Sequence, residues 1–282
     1  MKSLEEEIES NIDDLLGVAF GAGEIIMQHL RNGFKTYIKS DNSPVTDADI
    51  AADKFITKNL QKIIPGIAVV SEEGYEDNPD QYNNIPDEFW CVDPLDGTKN
   101  FIEGRPDEFT VNIGLVANKK PIFGMLFVPN KNLMYFSTPD GGFKILNGKK
   151  SRMGEGKFET DINIVTSRRM PDDKIEDFIQ KTGIKDVSFG YKKMAGSEKF
   201  CYLADSHFNI FPLFAPSYEW DTAAGHAILN SVGGKVFSGK GEQELEYNKK
   251  GFRNNGFVAM TDPKMILPTQ LSKIVQNLHE FF

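Results

Sequence analysis

Cysteine is scarce in this sequence. Two occur among 282 residues, Cys91 and Cys201, each inside an apolar run: Phe89-Trp90-Cys91-Val92 and Phe200-Cys201-Tyr202-Leu203. That argues against a disulfide-stapled scaffold and reads as small buried hydrophobes in a reducing compartment. Long apolar runs are missing too; none approaches the ~20 residues of a membrane-spanning helix. Positive charge is in short supply, with 32 Lys and Arg against 41 Asp and Glu, a net −9. Such a surface repels polyanions, so long nucleic acid is not an expected partner. A small phosphorylated metabolite remains open if local cations reverse the field. No Walker A, Gly-x-Gly-x-x-Gly or Gly-x-Ser-x-Gly sequence occurs. His29, His207, His226 and His279 share no zinc-ligand spacing and read as packing residues. The first residues, with Glu5, Glu6, Glu7 and Glu9, fit neither a secretory signal nor a transit peptide. The expected location is the cytoplasm, with peripheral attachment at the inner face of the membrane left open. Oligomeric state is open as well.

The rest of the composition, 40% hydrophobic and 26% charged, is that of a globular chain long enough to bury a core without staples. Leu4, Ile8, Ile12, Leu15, Ala19, Ala22, Ile26 and Leu30 recur at helical spacing, which predicts a helix over 4–30 stopped by Asn32-Gly33. Thr46 caps a second helix running to Ile64, ended by Pro65-Gly66. Strands follow at 67–70, 89–92, 109–117, 122–128 and 133–137, with turn-like separators that suggest an antiparallel meander. Residues 75–86 read as surface loop, and Asn147-Gly148 as a hairpin turn. Further on, 162–165 reads as strand, 172–181 and 197–204 as helix, 208–214 as extended, and 221–232 as helix closed by Gly233-Gly234. The softest boundary lies at 152–161. It divides the chain into 1–155, carrying the meander, and 156–282, an α/β half supplying Asp221 and substrate contacts. The fold class is a layered α+β or α/β sandwich.

Most of the chemistry is concentrated at Asp93-Pro94-Leu95-Asp96-Gly97-Thr98. An apolar strand delivers Asp93; Pro94 is expected to stop the ladder there. Two carboxylates so placed repel each other unless a hard cation sits between them, and the Leu95 carbonyl offers another oxygen. Amides around Gly97 and Thr98 open a short helix, an anion site. The alternative is a simple turn, since Asp-Pro and Asp-Gly are turn-formers. An EF-hand starting at Asp93 needs Glu at its twelfth position, which is Gly104. A haloacid-dehalogenase-type phosphatase needs its aspartates two apart rather than three. Glu72 also follows an apolar strand and could reach the same cation or remain an exposed acid. Asp221 and Asp49 each stand at a helix start, where a cap or dipole partner is the alternative to a ligand.

Asp93-Pro-Leu-Asp-Gly-Thr98 and Trp220-Asp221-Thr-Ala-Ala-Gly225, with Glu72-Glu73 upstream, resemble the two signatures of the inositol monophosphatase superfamily. Lys39-Ser-Asp-Asn-Ser-Pro-Val-Thr46, Glu108-Phe-Thr-Val-Asn-Ile113 and Lys199-Phe-Cys201 resemble its 3'(2'),5'-bisphosphate nucleotidase branch, the CysQ type. The likeness runs over roughly residues 10 to 260. It implies a five-layer α/β/α/β/α sandwich, shared with fructose-1,6-bisphosphatase. Two or three Mg²⁺ are implied, held by Glu72, Asp93, the Leu95 carbonyl, Asp96 and Asp221. Asp49, Thr98 and Glu72 would be catalytic, with Asp49 and Thr98 orienting or deprotonating the attacking water. Gly97 and Thr98 would cradle the scissile phosphate. Glu72, Leu95, Asp96, Gly196, Ser197, Lys199 and Asp221 would complete the substrate site. The implied reaction converts adenosine 3',5'-bisphosphate to AMP and phosphate without a phosphoenzyme, and lithium inhibits it. An inositol or sugar monophosphatase on the same scaffold is the alternative. Two positions depart from the branch: Leu213 stands where an arginine contacts the nucleotide phosphate, and Asn100 where Glu is common.

Overall fold

The computed structural model describes residues 3–154, 161–182, 188–239 and 243–261. His279 and the 155/156 boundary lie outside them. The expected first helix is two: α1 (Leu4–Ser10) and α2 (Ile12–Asn32). They break at Asn11, whose backbone leaves helical geometry (φ −117°, ψ 15°). A small hairpin of β1 (Thr36–Ile38) and β2 (Pro44–Thr46) leads into α3 (Asp47–Ile63). Thr46 and Asp49 form a reciprocal capping box at its start.

β3 (Ala68–Ser71) runs directly into α4 (Glu72–Asp77), where surface loop was expected from Tyr75; a 3₁₀ turn follows at Pro79–Tyr82. β4 (Glu88–Asp96) is longer than the sequence suggested. Pro94 interrupts its pairing without ending the strand. Asp93 pairs with Asn112 and Asp96 with Thr110, and the register shifts between them. This bulge leaves Pro94 unneeded as a donor and re-aims the two carboxylates. α5 (Thr98–Ile102) follows at once.

β5 (Thr110–Ala117), β6 (Lys120–Val128), β7 (Leu133–Thr138), β8 (Gly141–Leu146) and β9 (Lys149–Arg152) form the expected meander, with Asn147-Gly148 turning the last hairpin. Together with β3 and β4 they make a seven-stranded sheet. The second half brings β10 (Ile162–Ser167), α6 (Asp172–Thr182), β11 (Phe189–Met194), α7 (Glu198–Ala204) and β12 (Ile210–Leu213). β13 (Ser217–Tyr218), a 3₁₀ turn (Glu219–Asp221), α8 (Ala223–Asn230), β14 (Lys235–Ser238), β15 (Arg253–Asn254) and β16 (Phe257–Met260) complete it. A five-stranded sheet runs β11-β10-β12-β16-β14, its first three strands parallel.

Alternation along β4 sorts the core into layers. Trp90 and Val92 join the α2 and α3 residues Leu15, Ala19 and Ile56. Phe89 and Cys91 face the other way, with Phe200 and Cys201 of α7 and Ile228 of α8. Beyond those helices lies the second sheet, and Phe178 of α6 covers its far face against Ile164, Ile210 and Val258. The order is helix, sheet, helix, sheet, helix. α8 lies so close to the first sheet that a Cβ at Gly124 would meet the Ala224 carbonyl oxygen at 2.2 Å. Among the described residues no helix is long and apolar enough to cross a membrane.

Candidate active site

A cleft of about 320 Å³ opens where the two sheets approach each other. The carboxylates of Glu72, Asp93, Asp96 and Asp221 all line it, with Leu95, Gly97, Thr98, Gly196 and Lys199. Ser197 lines the adjoining pocket. Asp49 stands one hydrogen bond away, accepting from Thr98 Oγ1 at 2.9 Å. Every site residue expected from sequence is thus in one place, although they come from β3–α4, β4, α3, the β11–α7 turn and the 3₁₀ turn before α8.

Local backbone explains much of this. Gly97 sits at φ 101°, and a Cβ there would lie 2.7 Å from the Glu108 carbonyl, so glycine is needed. Gly196 is also left-handed, at φ 67°, beside Asp96. Asp221 is not the cap of α8. It closes the 3₁₀ turn, its carboxylate accepting from the Tyr218 N–H at 2.7 Å, and Thr222 takes the flanking position. Ser197 Oγ lies 2.5 Å from Asp96 Oδ2 and 2.8 Å from the Asp221 carbonyl, tying the two acids together.

The electrostatics are those of crowded acid. Asp93 is 2% exposed. Burial raises its carboxyl well above the usual range, and Glu72, Asp96 and Asp221 raise it further. Burial and then Asp96 do the same to Asp221. Burial also raises Asp49 and Glu72. The Lys39 ammonium bonds Glu72 Oε1 at 2.7 Å and Glu73 Oε1 at 3.0 Å. Burial works to lower Lys39, but the two glutamates outweigh it and hold the group above its ordinary value. Glu73 is pushed up to about 8, by burial and by Glu72.

One ammonium does not balance this set. All-oxygen, mostly anionic donors with so few internal partners match the preference of hard divalent cations such as Mg²⁺. Among the described residues no three acids already stand as a closed chelating group. Glu72 is turned to Lys39, Asp96 to Ser197 and Asp221 to the Tyr218 amide. The donor chemistry therefore fits the ions.

The profile of the Inositol monophosphatase family matches residues 9–278. The chain belongs to that family. Within it, the chain is 36% identical over 259 residues to the 3'(2'),5'-bisphosphate nucleotidase CysQ of Buchnera aphidicola subsp. Acyrthosiphon pisum, covering 88% of this chain and 92% of the relative. The CysQ nucleotidase of Escherichia coli strain K12 is also 36% identical, over 251 residues, 87% of this chain and 98% of the relative. The crystal structure of CysQ from Bacteroides thetaiotaomicron superposes with a TM-score of 0.74 at 34% identity, covering 89% and 97% of the two chains. The five-layer sandwich is accordingly the inositol monophosphatase fold.

The opposite wall of this family member's cleft carries residues the sequence did not single out. Ser167, the last residue of β10, and Arg168 and Arg169 just beyond it line the cleft. Arg168 donates to the Glu108 carboxylate through both terminal guanidinium nitrogens. Consecutive arginines at the end of an apolar strand were the available signal. Lys199, for which a solvated helix position was the alternative, is only 6% exposed. Its Nζ donates to the Gly196 carbonyl and stands 5.0 Å from the Phe211 ring centroid. Burial brings it down to about 8.

Proposed function

We propose that this chain is a Mg²⁺-dependent phosphoric monoester hydrolase that removes the 3'-phosphate of adenosine 3',5'-bisphosphate. The products are AMP and phosphate. The observation that carries the reading is one cleft with carboxylates along one wall and Arg168, Arg169 and Lys199 along the other. A bisphosphorylated metabolite needs both: a cation-loaded centre for the phosphate that leaves and fixed positive charge for the one that stays. The CysQ relatives, alike over most of both chains, support that choice.

In this reading Glu72, Asp93, the Leu95 carbonyl, Asp96 and Asp221 would hold two Mg²⁺, with room in the donor set for a third. When bound, the ions neutralise the acid wall, draw charge from the phosphate oxygens and make water easier to deprotonate. The chain's own residues do the rest. Thr98 donates its hydroxyl proton to Asp49, which leaves the Thr98 oxygen as an acceptor for the attacking water. As the water attacks phosphorus, its proton passes to Thr98 Oγ1 while the Thr98 proton moves to Asp49. Burial favours a protonated Asp49, so it suits the role of final acceptor. Gly97 and Thr98 bring backbone amides to the scissile phosphate. Glu72, which lines the same cleft, would help to orient the water. Gly196, Ser197 and Lys199 hold the remainder of the substrate. The P–O bond to the ribose 3' oxygen breaks, and that oxygen takes up a proton from solvent.

The test is a comparison of kcat/KM for adenosine 3',5'-bisphosphate and inositol 1-phosphate with Mg²⁺ present. A preference of at least tenfold for the nucleotide is expected. A preference for the inositol ester would replace this reading with an inositol monophosphatase.

A further inference from the structure

The parallel strands β10, β11 and β12 send their carboxyl ends to the same edge of the second sheet. In open sheets of this kind the crevice beyond those ends is where ligands settle. Here the three following turns carry Arg168-Arg169, Ala195-Gly196-Ser197 and Phe214-Ala215, and all line pockets that join the acid cleft. One of these pockets, about 430 Å³, is largely apolar, walled by Met170, Leu213 and Phe214. Ser167 and Arg169 line both it and the acid cleft. Any ligand that reaches from one to the other therefore passes Arg169.

The cations on this wall are not equivalent. Arg168 is engaged by Glu108. Lys199 is buried and turned to the carbonyls of Gly196 and Met194. β12 ends in Leu213 and brings no charge. Lys181 is paired with Asp177 at 3.0 Å. Arg169 is exposed and has no acidic partner among the described residues, as is Lys174 farther out in the same pocket. In a chain of net charge −9, an arginine with no acidic partner among the described residues, at the junction of an acid cleft and an apolar pocket, is free to meet an anionic group of a ligand that spans the two. Its planar fork suits a phosphate, which accepts two parallel N–H bonds.

We propose that Arg169 is the specificity-determining residue for the second, non-scissile phosphate of a nucleoside bisphosphate. This rests on the nucleotidase reading above. Arg169 supplies this contact from the end of β10, next to β12, which ends in the uncharged Leu213. Lys199 adds charge from beneath without being the direct ligand.

The experiment measures kcat/KM for adenosine 3',5'-bisphosphate and for adenosine 3'-monophosphate, which lacks the second phosphate, in the Mg²⁺-loaded protein. Wild type, Arg169→Ala and Arg169→Lys are compared, with circular dichroism to verify folding. The ratio of the two kcat/KM values is expected to fall at least tenfold in Arg169→Ala, through KM for the bisphosphate. Arg169→Lys is expected to restore part of it. Calorimetric binding of AMP, the product that keeps that phosphate, should weaken by a similar factor in Arg169→Ala. A ratio within twofold of wild type would overturn the role of Arg169 while leaving the nucleotidase reading intact. A wild-type protein with no preference for the bisphosphate over the monophosphate would sink both.

Discussion

The two sheets face one cleft with opposite charge. The seven-stranded sheet delivers acid: Glu72 just past β3, and Asp93 and Asp96 on β4. The five-stranded sheet delivers base: Arg168 and Arg169 past β10, and Lys199 on α7 past β11. Asp221 crosses over, since its 3₁₀ turn packs against β4 and β5 of the first sheet although it lies late in the chain. The contrast separates chemistry from selection. In the proposed function the acid wall would organise the reacting phosphate and water, and the basic wall would choose which substrate stays long enough to react. It also separates two kinds of packing. The acid side is fixed by a bulge and a required glycine, whereas Arg168 and Arg169 are exposed at a strand end.

The largest test of that division is Asp96→Asn, or stripping divalent ions with a chelator. Either is expected to reduce phosphate release about 10³-fold or more, because the charge stabilisation by metal is lost. The mutant should retain its circular dichroism spectrum. Phosphate release that persists in a folded Asp96→Asn protein would break the comparison at its stronger half.

Next come Thr98→Ala and Asp49→Asn, each expected to lower kcat by about 10²- to 10⁴-fold, the range of a lost proton relay. KM should move little. A loss confined to KM would move Thr98 from the chemistry to the selecting side.

Lys199→Met keeps the buried stem and removes the charge. The expected result is a KM for the bisphosphate raised about tenfold, the scale of one positive charge acting on the phosphate without a direct bond. A kcat loss as deep as that of Asp96→Asn would erase the distinction between the two walls.

Gly97→Ala probes how the acid wall is held. The substitution forces a side chain onto φ 101° and against the Glu108 carbonyl. A loss of about 1–3 kcal/mol in unfolding free energy is expected by denaturant titration. An unchanged midpoint would mean that the turn relaxes freely.

The smallest effect is expected away from the cleft. Glu244 is lowered to about 2, by the His226 imidazole 3.5 Å away and then by Lys235. A folded value below the unfolded one of 4.5 stabilises the fold above that pH and ceases to do so as pH falls through about 2. The carboxylate is partly exposed, so screening reduces the effect; Glu244→Gln should cost about 1 kcal/mol at pH 7. The difference should close as thermal melts are taken toward pH 2. A gap that stays constant with pH would assign the contact to packing.

Much of this was legible in the chain itself. The meander could be read because each strand alternates or runs apolar between turn residues, and hairpin pairing is local. That Asp93, Asp96, Gly97 and Thr98 share one cleft could be read because one strand end gathers two carboxylates and a helix start within six residues. Other features were not legible. The break at Asn11 leaves the apolar spacing of 4–30 intact, so periodicity alone hid it. Pro94 looked like a strand end because sequence cannot show a bulge that makes its missing N–H harmless. β11, β14 and β16 were missed, the first mostly half-buried and irregular in pattern, the other two short.

The sequence by itself determined which groups the acid site contains: carboxylates at the ends of apolar strands, which repel each other unless cations or protons relieve them. Only the tertiary structure decided which cations stand opposite. Arg169 is placed by three parallel strands ending at one edge, and strand order depends on long-range packing between segments far apart in the chain. No local pattern records that Leu213 and Arg169 border the same pocket, because the contact exists only once the second sheet has assembled.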